Sequence, residues 1–205
     1  MMRNLITTMF AFATICLVSA QEKELKSQLK SGESITFAKG DMFVEGAIKI
    51  STGGEQDYYG FNPKFGYFLN NKLAVGGEVN FASNKVETLD SKTNIFGIGG
   101  FARYYFLELG KKRFKAYGEA GLGYGRNKTE IADIEDISNS VTADINLGLN
   151  YFITKNLAAT FTLANVLSYN SVSPEEGPSS NTFELNINLF ENIFDQPQFG
   201  LLYRF

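Results

Sequence analysis

The chain has 205 residues with 20 Gly, 19 Phe and 10 Tyr, no Trp, no His and a single Cys, and its net charge is −3. With the one thiol, Cys16, inside an N-terminal apolar stretch, this inventory excludes disulfide scaffolds, Cys/His zinc sites, c-type haem attachment and any mechanism built on a histidine base or a cysteine nucleophile. The weak negative charge offers no basic field to nucleic acid, and a mean hydropathy of −0.11 resembles that of a water-soluble protein.

Met1 to Ala20 carries one positive charge, Arg3, then an uncharged apolar run from Leu5 to Val18, and ends in Val18-Ser19-Ala20. The run is too short to span a bilayer and leads at once into the charged stretch Gln21 to Lys30, which predicts a signal peptide over 1–20 cleaved between Ala20 and Gln21. Ile15 precedes Cys16 where a lipoprotein site needs a small residue. Residues 21–40 are charged and lack sustained periodicity, so they are expected to form a flexible arm or short helix without chemistry. The remaining 41–205 is assigned to one domain.

From about Met42 the apolar residues alternate with period 2, the signature of half-buried strands. In Val141 to Ile153, the residues Val141, Ala143, Ile145, Leu147, Leu149, Tyr151 and Ile153 oppose Thr142, Asp144, Asn146, Gly148, Asn150 and Phe152. The pattern predicts eight strands, near 42–51, 57–69, 73–83, 92–106, 113–126, 140–153, 157–169 and 182–205. Breaks at Asn70-Asn71-Lys72, Thr154-Lys155-Asn156 and Leu107 to Lys112 are short. Those near 51–56, 83–91, 127–139 and 170–181 are polar and mostly longer. Short turns at one end and long loops at the other predict an all-β fold, an eight-stranded antiparallel up-and-down transmembrane β-barrel. In the last strand Phe183, Leu185, Ile187 and Leu189 share a face, Glu191 to Gln198 interrupts, and Phe199, Leu201, Tyr203 and Phe205 resume the phase.

The polar face, rich in Gly, Asn, Thr and Ala, suits a crowded lumen, so the apolar face is expected to meet lipid. Strands of about 11 residues tilted near 40° cross the roughly 25 Å apolar band. Aromatics gather at both strand ends, as interfacial girdles would. Tyr67 and Phe68, Tyr104 to Phe106, Tyr151 and Phe152, and Tyr203 and Phe205 lie near the short turns; Tyr58, Tyr59, Phe81, Tyr124 and Tyr169 lie near the long loops. The ending Gln198-Phe-Gly-Leu-Leu-Tyr-Arg-Phe205 resembles the C-terminal recognition strand that the barrel-assembly machinery reads in outer-membrane barrels, with Phe199, Leu201, Tyr203 and Phe205 as its signal.

Four segments carry a family resemblance: Phe61 to Phe68 followed by Asn71 to Gly76, Phe101 to Phe106, Ala116 to Tyr124, and Leu149 to Leu157. Together they resemble the small outer-membrane β-barrel domain family of Gram-negative bacteria, the OmpA/OmpX-like superfamily. The resemblance covers nearly all of the chain after the signal peptide and implies an eight-stranded barrel in the cell outer membrane, in a functionally heterogeneous family. Nothing follows Phe205, so the periplasmic peptidoglycan-binding domain of full-length OmpA proteins is expected to be absent.

With the apolar face outward, the inward set holds five acids, Glu45, Glu78, Glu119, Asp144 and Glu184, and five bases, Lys49, Lys64, Arg103, Lys115 and Arg204. Isolated buried charge is costly, so the set is expected to pair into a salt-bridge network, helped by Asn62, Asn80, Asn146, Asn150, Asn186 and Asn188, with Glu45, Lys64, Glu78, Arg103, Lys115, Glu119 and Arg204, at mid-strand or towards the periplasmic half, closing the lumen there. The alternative is a narrow passive channel for small solutes or ions. Catalysis is not expected, because the enzymatic barrels of this membrane resemble one another in relying on a histidine, and no cofactor or metal is expected. The acidic loops, with Glu130, Asp133, Glu135 and Asp136, and with Glu175 and Glu176, read as solvated surface. The expected partners are outer-membrane lipid, lipopolysaccharide and, during insertion, the assembly machinery; the expected role of the monomer is structural or in cell-surface interaction.

Overall fold

The computed structural model describes residues 34–53, 56–109, 113–131, 134–175, 177–186 and 198–205. The signal peptide, its cleavage point at Ala20 and Gln21, most of the charged arm, and the greater part of the interruption in the last strand lie outside the described residues.

The described residues form nine strands: β1 (Met42–Gly53), β2 (Gln56–Phe68), β3 (Leu73–Val86), β4 (Ser91–Leu109), β5 (Phe114–Ile131), β6 (Ile134–Phe152), β7 (Leu157–Pro174), β8 (Ser180–Leu185) and β9 (Gln198–Arg204). Each strand from β1 to β6 pairs antiparallel with its successor. The ring closes because β9 lies between Leu157–Thr162 of β7 and Phe43–Ile48 of β1. β8 pairs with Leu167–Val172 of β7. Eight staves therefore surround a lumen, and the eighth is made of two pieces, β9 at the short-turn end and β8 towards the long-hairpin end.

Alternation sets the two faces. Along β1, Phe43, Glu45 and Ala47 are buried inside while Val44, Ile48 and Ile50 are exposed outside. The outer surface carries large apolar side chains on strand after strand, including Leu122 at 63% exposure and Phe199 at 54%. A belt of that extent, far beyond the few hundred Å² that a soluble monomer tolerates, is the solvent signature of a bilayer.

Three expectations are corrected. The segments 83–91, 127–139 and 170–181 are largely strand rather than loop, since β3 runs to Val86, β5 to Ile131, β6 begins at Ile134 and β7 reaches Pro174. Here polar cross-strand pairs sustain the ladder without apolar alternation: Thr93 and Thr129 hydroxyls lie 3.1 Å apart, and Lys128 meets Glu135 at 2.9 Å. Second, β4 continues to Leu109 through a bulge between Tyr105 and Leu107, where a turn was expected. Third, the end of the charged arm is no free arm or helix. Ile35 and Phe37 are buried at 3% and 4% exposure, and Gly40, with φ +99°, turns the chain from that segment into β1.

The girdle near the short turns is also split. Tyr67, Tyr104, Phe106, Tyr151, Tyr203 and Phe205 face outward, whereas Phe68, Tyr105 and Phe152 are fully buried inside. Adjacent residues of a strand point to opposite faces, so each aromatic pair gives one ring to lipid and one to the lumen.

Candidate functional site

The middle of the lumen is spanned by a continuous chain of ionic contacts from five neighbouring strands. Arg103 on β4 is fully buried and donates from Nη1 and Nη2 to the two carboxylate oxygens of Glu45 on β1, at 2.6 and 3.1 Å. Its Nε donates to Glu119 on β5 at 2.6 Å. The other Glu119 oxygen lies 2.5 Å from Lys64 Nζ on β2, and Lys64 reaches Glu78 on β3 at 2.8 Å. Asn62 donates to Glu78 and to the Val79 carbonyl at 3.3 and 3.0 Å, completing the acceptor side. Desolvating five charges is tolerable only because each cation is shared by two carboxylates in charge-assisted bonds.

Towards the short turns, aromatic rings fill the lumen beneath the charges. The Arg103 guanidinium carbon sits 4.1 Å from the Tyr117 ring centre and 5.3 Å from that of Phe43. Phe43 lies over Gly66, Phe101 over Gly76 and Tyr117 over Gly148, each opposite its glycine in the strand register. A Cβ at any of these three glycines would fall within 2.6 Å of the ring. The cross-strand glycine thus makes the slot in which the ring lies flat.

At the mouth, Phe37 closes the stack. Its ring centre is 4.1 Å from Phe68, 4.8 Å from Tyr105 and 5.7 Å from Phe152, and Lys115 Nζ lies 4.4 Å above it. Lys115 pairs with Glu108, which the β4 bulge turns inward. Arg204 donates to the Thr36 carbonyl at 2.6 Å and lies 3.4 Å from Asp41, tying this segment to β9. Asn150 donates to the Tyr105 hydroxyl at 2.9 Å.

The ten charges expected to form one balanced network therefore separate by height. Glu45, Lys64, Glu78, Arg103 and Glu119 meet at mid-lumen, while Lys115 and Arg204 belong to the mouth. In the other half, Lys49 Nζ sits 5.2 Å from the Tyr58 ring, Asp144 accepts from Asn146, and Glu184 lines a cavity. Each residue along a strand advances about 3.3 Å, which carries these groups out of pairing range of the central cluster. Above that level, hydrogen bonds to Glu135 and Glu130 raise the pKa of Lys128 above the ordinary lysine value.

Residue type alone did not single out Glu108, Ile35 and Phe37, or the inward rings of Phe43, Phe68, Phe101, Tyr105, Tyr117 and Phe152. The brief alternation of Ile35-Thr36-Phe37 is the signal that marks the plug. The four residues of the expected assembly signal, Phe199, Leu201, Tyr203 and Phe205, all face outward.

A family model described as outer membrane protein beta-barrel domain matches residues 8–189. The chain belongs to this family. The barrel is accordingly an outer membrane protein, and its lipid-facing belt sits in that bilayer. Among solved structures it resembles Neisserial surface protein A at 17% identity and a TM-score of 0.53, covering 82% of this chain and 98% of that one. It also resembles a major outer membrane protein of Thermus thermophilus, at 13% identity, a TM-score of 0.51, and coverage of 81% and 99%. At such identities these likenesses establish the shared fold. The comparison with curated proteins gave no match.

Proposed function

We propose that this outer membrane barrel is a monomeric, non-enzymatic protein of structural or cell-surface interaction role, with a lumen closed to ions. The carrying observation is the double seal: the Glu45–Arg103–Glu119–Lys64–Glu78 chain across mid-lumen, and Phe37 wedged among Phe68, Tyr105 and Phe152 beneath it. Short turns face the periplasm and the long hairpins of β3 to β7 stand outside the cell, where they meet lipopolysaccharide or a partner. The outward row Phe199, Leu201, Tyr203 and Phe205 serves the assembly machinery during insertion.

Planar-bilayer recording on purified refolded protein tests the closure. No steady current is expected from the wild-type barrel. A steady current that changes on substitution of Glu78 or Arg103 would establish instead a narrow passive channel for small solutes or ions.

A further inference from the structure

The lumen above the ionic floor holds a cavity of about 770 Å³, within the range of small-molecule sites. One wall is paved with glycine: Gly97 and Gly99 on β4 lie opposite Gly125 and Gly123 on β5. The flanks of this pavement are polar. On the β3 side, Asn80 is registered against Gly97 and Glu78 against Gly99. On the β6 side, Ser140 is registered against Gly125 and Thr142 against Gly123.

The polar side chains lean over the pavement. A Cβ built at Gly123 would lie 2.8 Å from Thr142 Oγ1, one at Gly125 2.8 Å from Ser140 Oγ, and one at Gly99 3.1 Å from Glu78 Oε1. The result is a flat trough of bare backbone, with β3 and β6 about 14 Å apart as three strand spacings, rimmed by oxygen and amide groups. Bare backbone in a strand interior marks close approach by another group. In the periplasmic half the approaching group is an aromatic ring of this chain; over this trough the described residues bring only the polar ends of Thr142, Ser140 and Glu78 and no ring.

Two polar groups point to a ligand. Ser140 is 8% exposed, lines the cavity and has no hydrogen-bond partner for its hydroxyl among the described residues. Asn170 Oδ1, in the same lining, is buried with no partner. A buried acceptor such as Asn170 Oδ1 costs free energy unless something bonds to it, and the Ser140 hydroxyl is open to the cavity.

The chemistry of the lining selects the ligand class. Its charges nearly cancel, with Lys49 and Lys64 against Glu78, Asp144 and Glu184, so no strong field favours an ion of either sign. Glu78 is already engaged by Lys64 and Asp144 by Asn146. Amides and hydroxyls remain, groups that donate and accept as sugar hydroxyls do. We infer that the glycine trough binds a neutral polyhydroxylated ring, a mono- or disaccharide, lying with its C–H face on the backbone and its hydroxyl edges against Asn80, Ser140 and Thr142.

The test uses the full barrel in nanodiscs and saturation-transfer NMR titrations with glucose, galactose, maltose and lactose. Saturable binding of at least one sugar is expected. Thr142→Val, which keeps shape and removes the hydroxyl, and Gly123→Val, which fills the trough, are each expected to weaken it at least about 5-fold. Asn80→Ala provides a third variant should Gly123→Val misfold, with folding checked by heat-modifiable gel mobility. No saturable signal from any of the four sugars, or equal affinity in Thr142→Val and Asn80→Ala, overturns the inference. So does binding of glucose 1-phosphate in place of all four neutral sugars. Ionic current through the wild-type barrel would defeat the closed-lumen reading without touching this result.

Discussion

Replacing Arg103 by methionine removes the group that, among the described residues, joins Glu45 to the rest of the central cluster. Arg103 makes three charge-assisted bonds, at 2.6, 3.1 and 2.6 Å, from a fully buried position. Methionine keeps most of the stem volume, so the cost is electrostatic rather than a cavity. Glu119 retains Lys64 at 2.5 Å, while the Glu45 carboxylate, with its side chain 4% exposed, loses its guanidinium partner in the lumen interior. Breaking one side of a buried pair costs about 3–5 kcal/mol, because a charge is left uncompensated. With a urea slope of about 2 kcal/mol/M, the unfolding midpoint of the refolded barrel in lipid vesicles is expected to fall by about 2 M. The double substitution Arg103→Met with Glu45→Gln removes the orphaned charge and is expected to recover at least half of the loss. A single variant within about 0.5 kcal/mol of wild type, or a double variant no better than the single, would refute the claim that ion pairing holds this level of the lumen together.

Three further outcomes follow from the geometry. Phe37→Ala, which empties a ring position packed among three aromatics, is expected to cost about 3 kcal/mol in the same urea assay, yet to leave bilayer conductance at zero because the ionic floor stands. Gly148→Ala places a Cβ 2.3 Å from the Tyr117 ring and is expected to lower stability by about 1–3 kcal/mol, an effect that Tyr117→Ala in the same chain relieves. Phe205→Ala is expected to slow insertion by the purified assembly machinery several-fold in a protease-protection time course, with little change in the urea midpoint, since the backbone hydrogen bonds of residue 205 to Met42 remain and the lost ring lies on the outer surface.

The wall was legible because lipid on one side and a narrow lumen on the other force a strict period of two, which survives in strands such as Val141 to Ile153. Arg103, Glu119, Lys64, Glu78 and Glu45 were legible for the same reason, as charges on the inward phase. Their pairing was not. Which acid meets which base depends on register, and a single bulge at Tyr105 reverses the phase and delivers Glu108 to Lys115. Neighbouring aromatics such as Tyr151 and Phe152 misled for a related reason: the girdle accounts for one ring of each pair, and only the pleat shows that its neighbour packs the interior. The hairpin extensions were hidden because Thr129, Lys128 and Glu135 pair through polar groups that read in sequence as loop.

The glycines opposite Phe43, Phe101 and Tyr117 carry a consequence for how such a chain drifts. Each interior slot is owned jointly by two positions on neighbouring strands, one supplying bulk and the other supplying none. Exchanging the owners, as in Phe43→Gly with Gly66→Phe, conserves the filled volume although both positions have changed. Lineages that trade places in this way lose residue identity faster than they lose packing. A barrel of this kind therefore keeps its shape long after position-by-position comparison has stopped registering kinship.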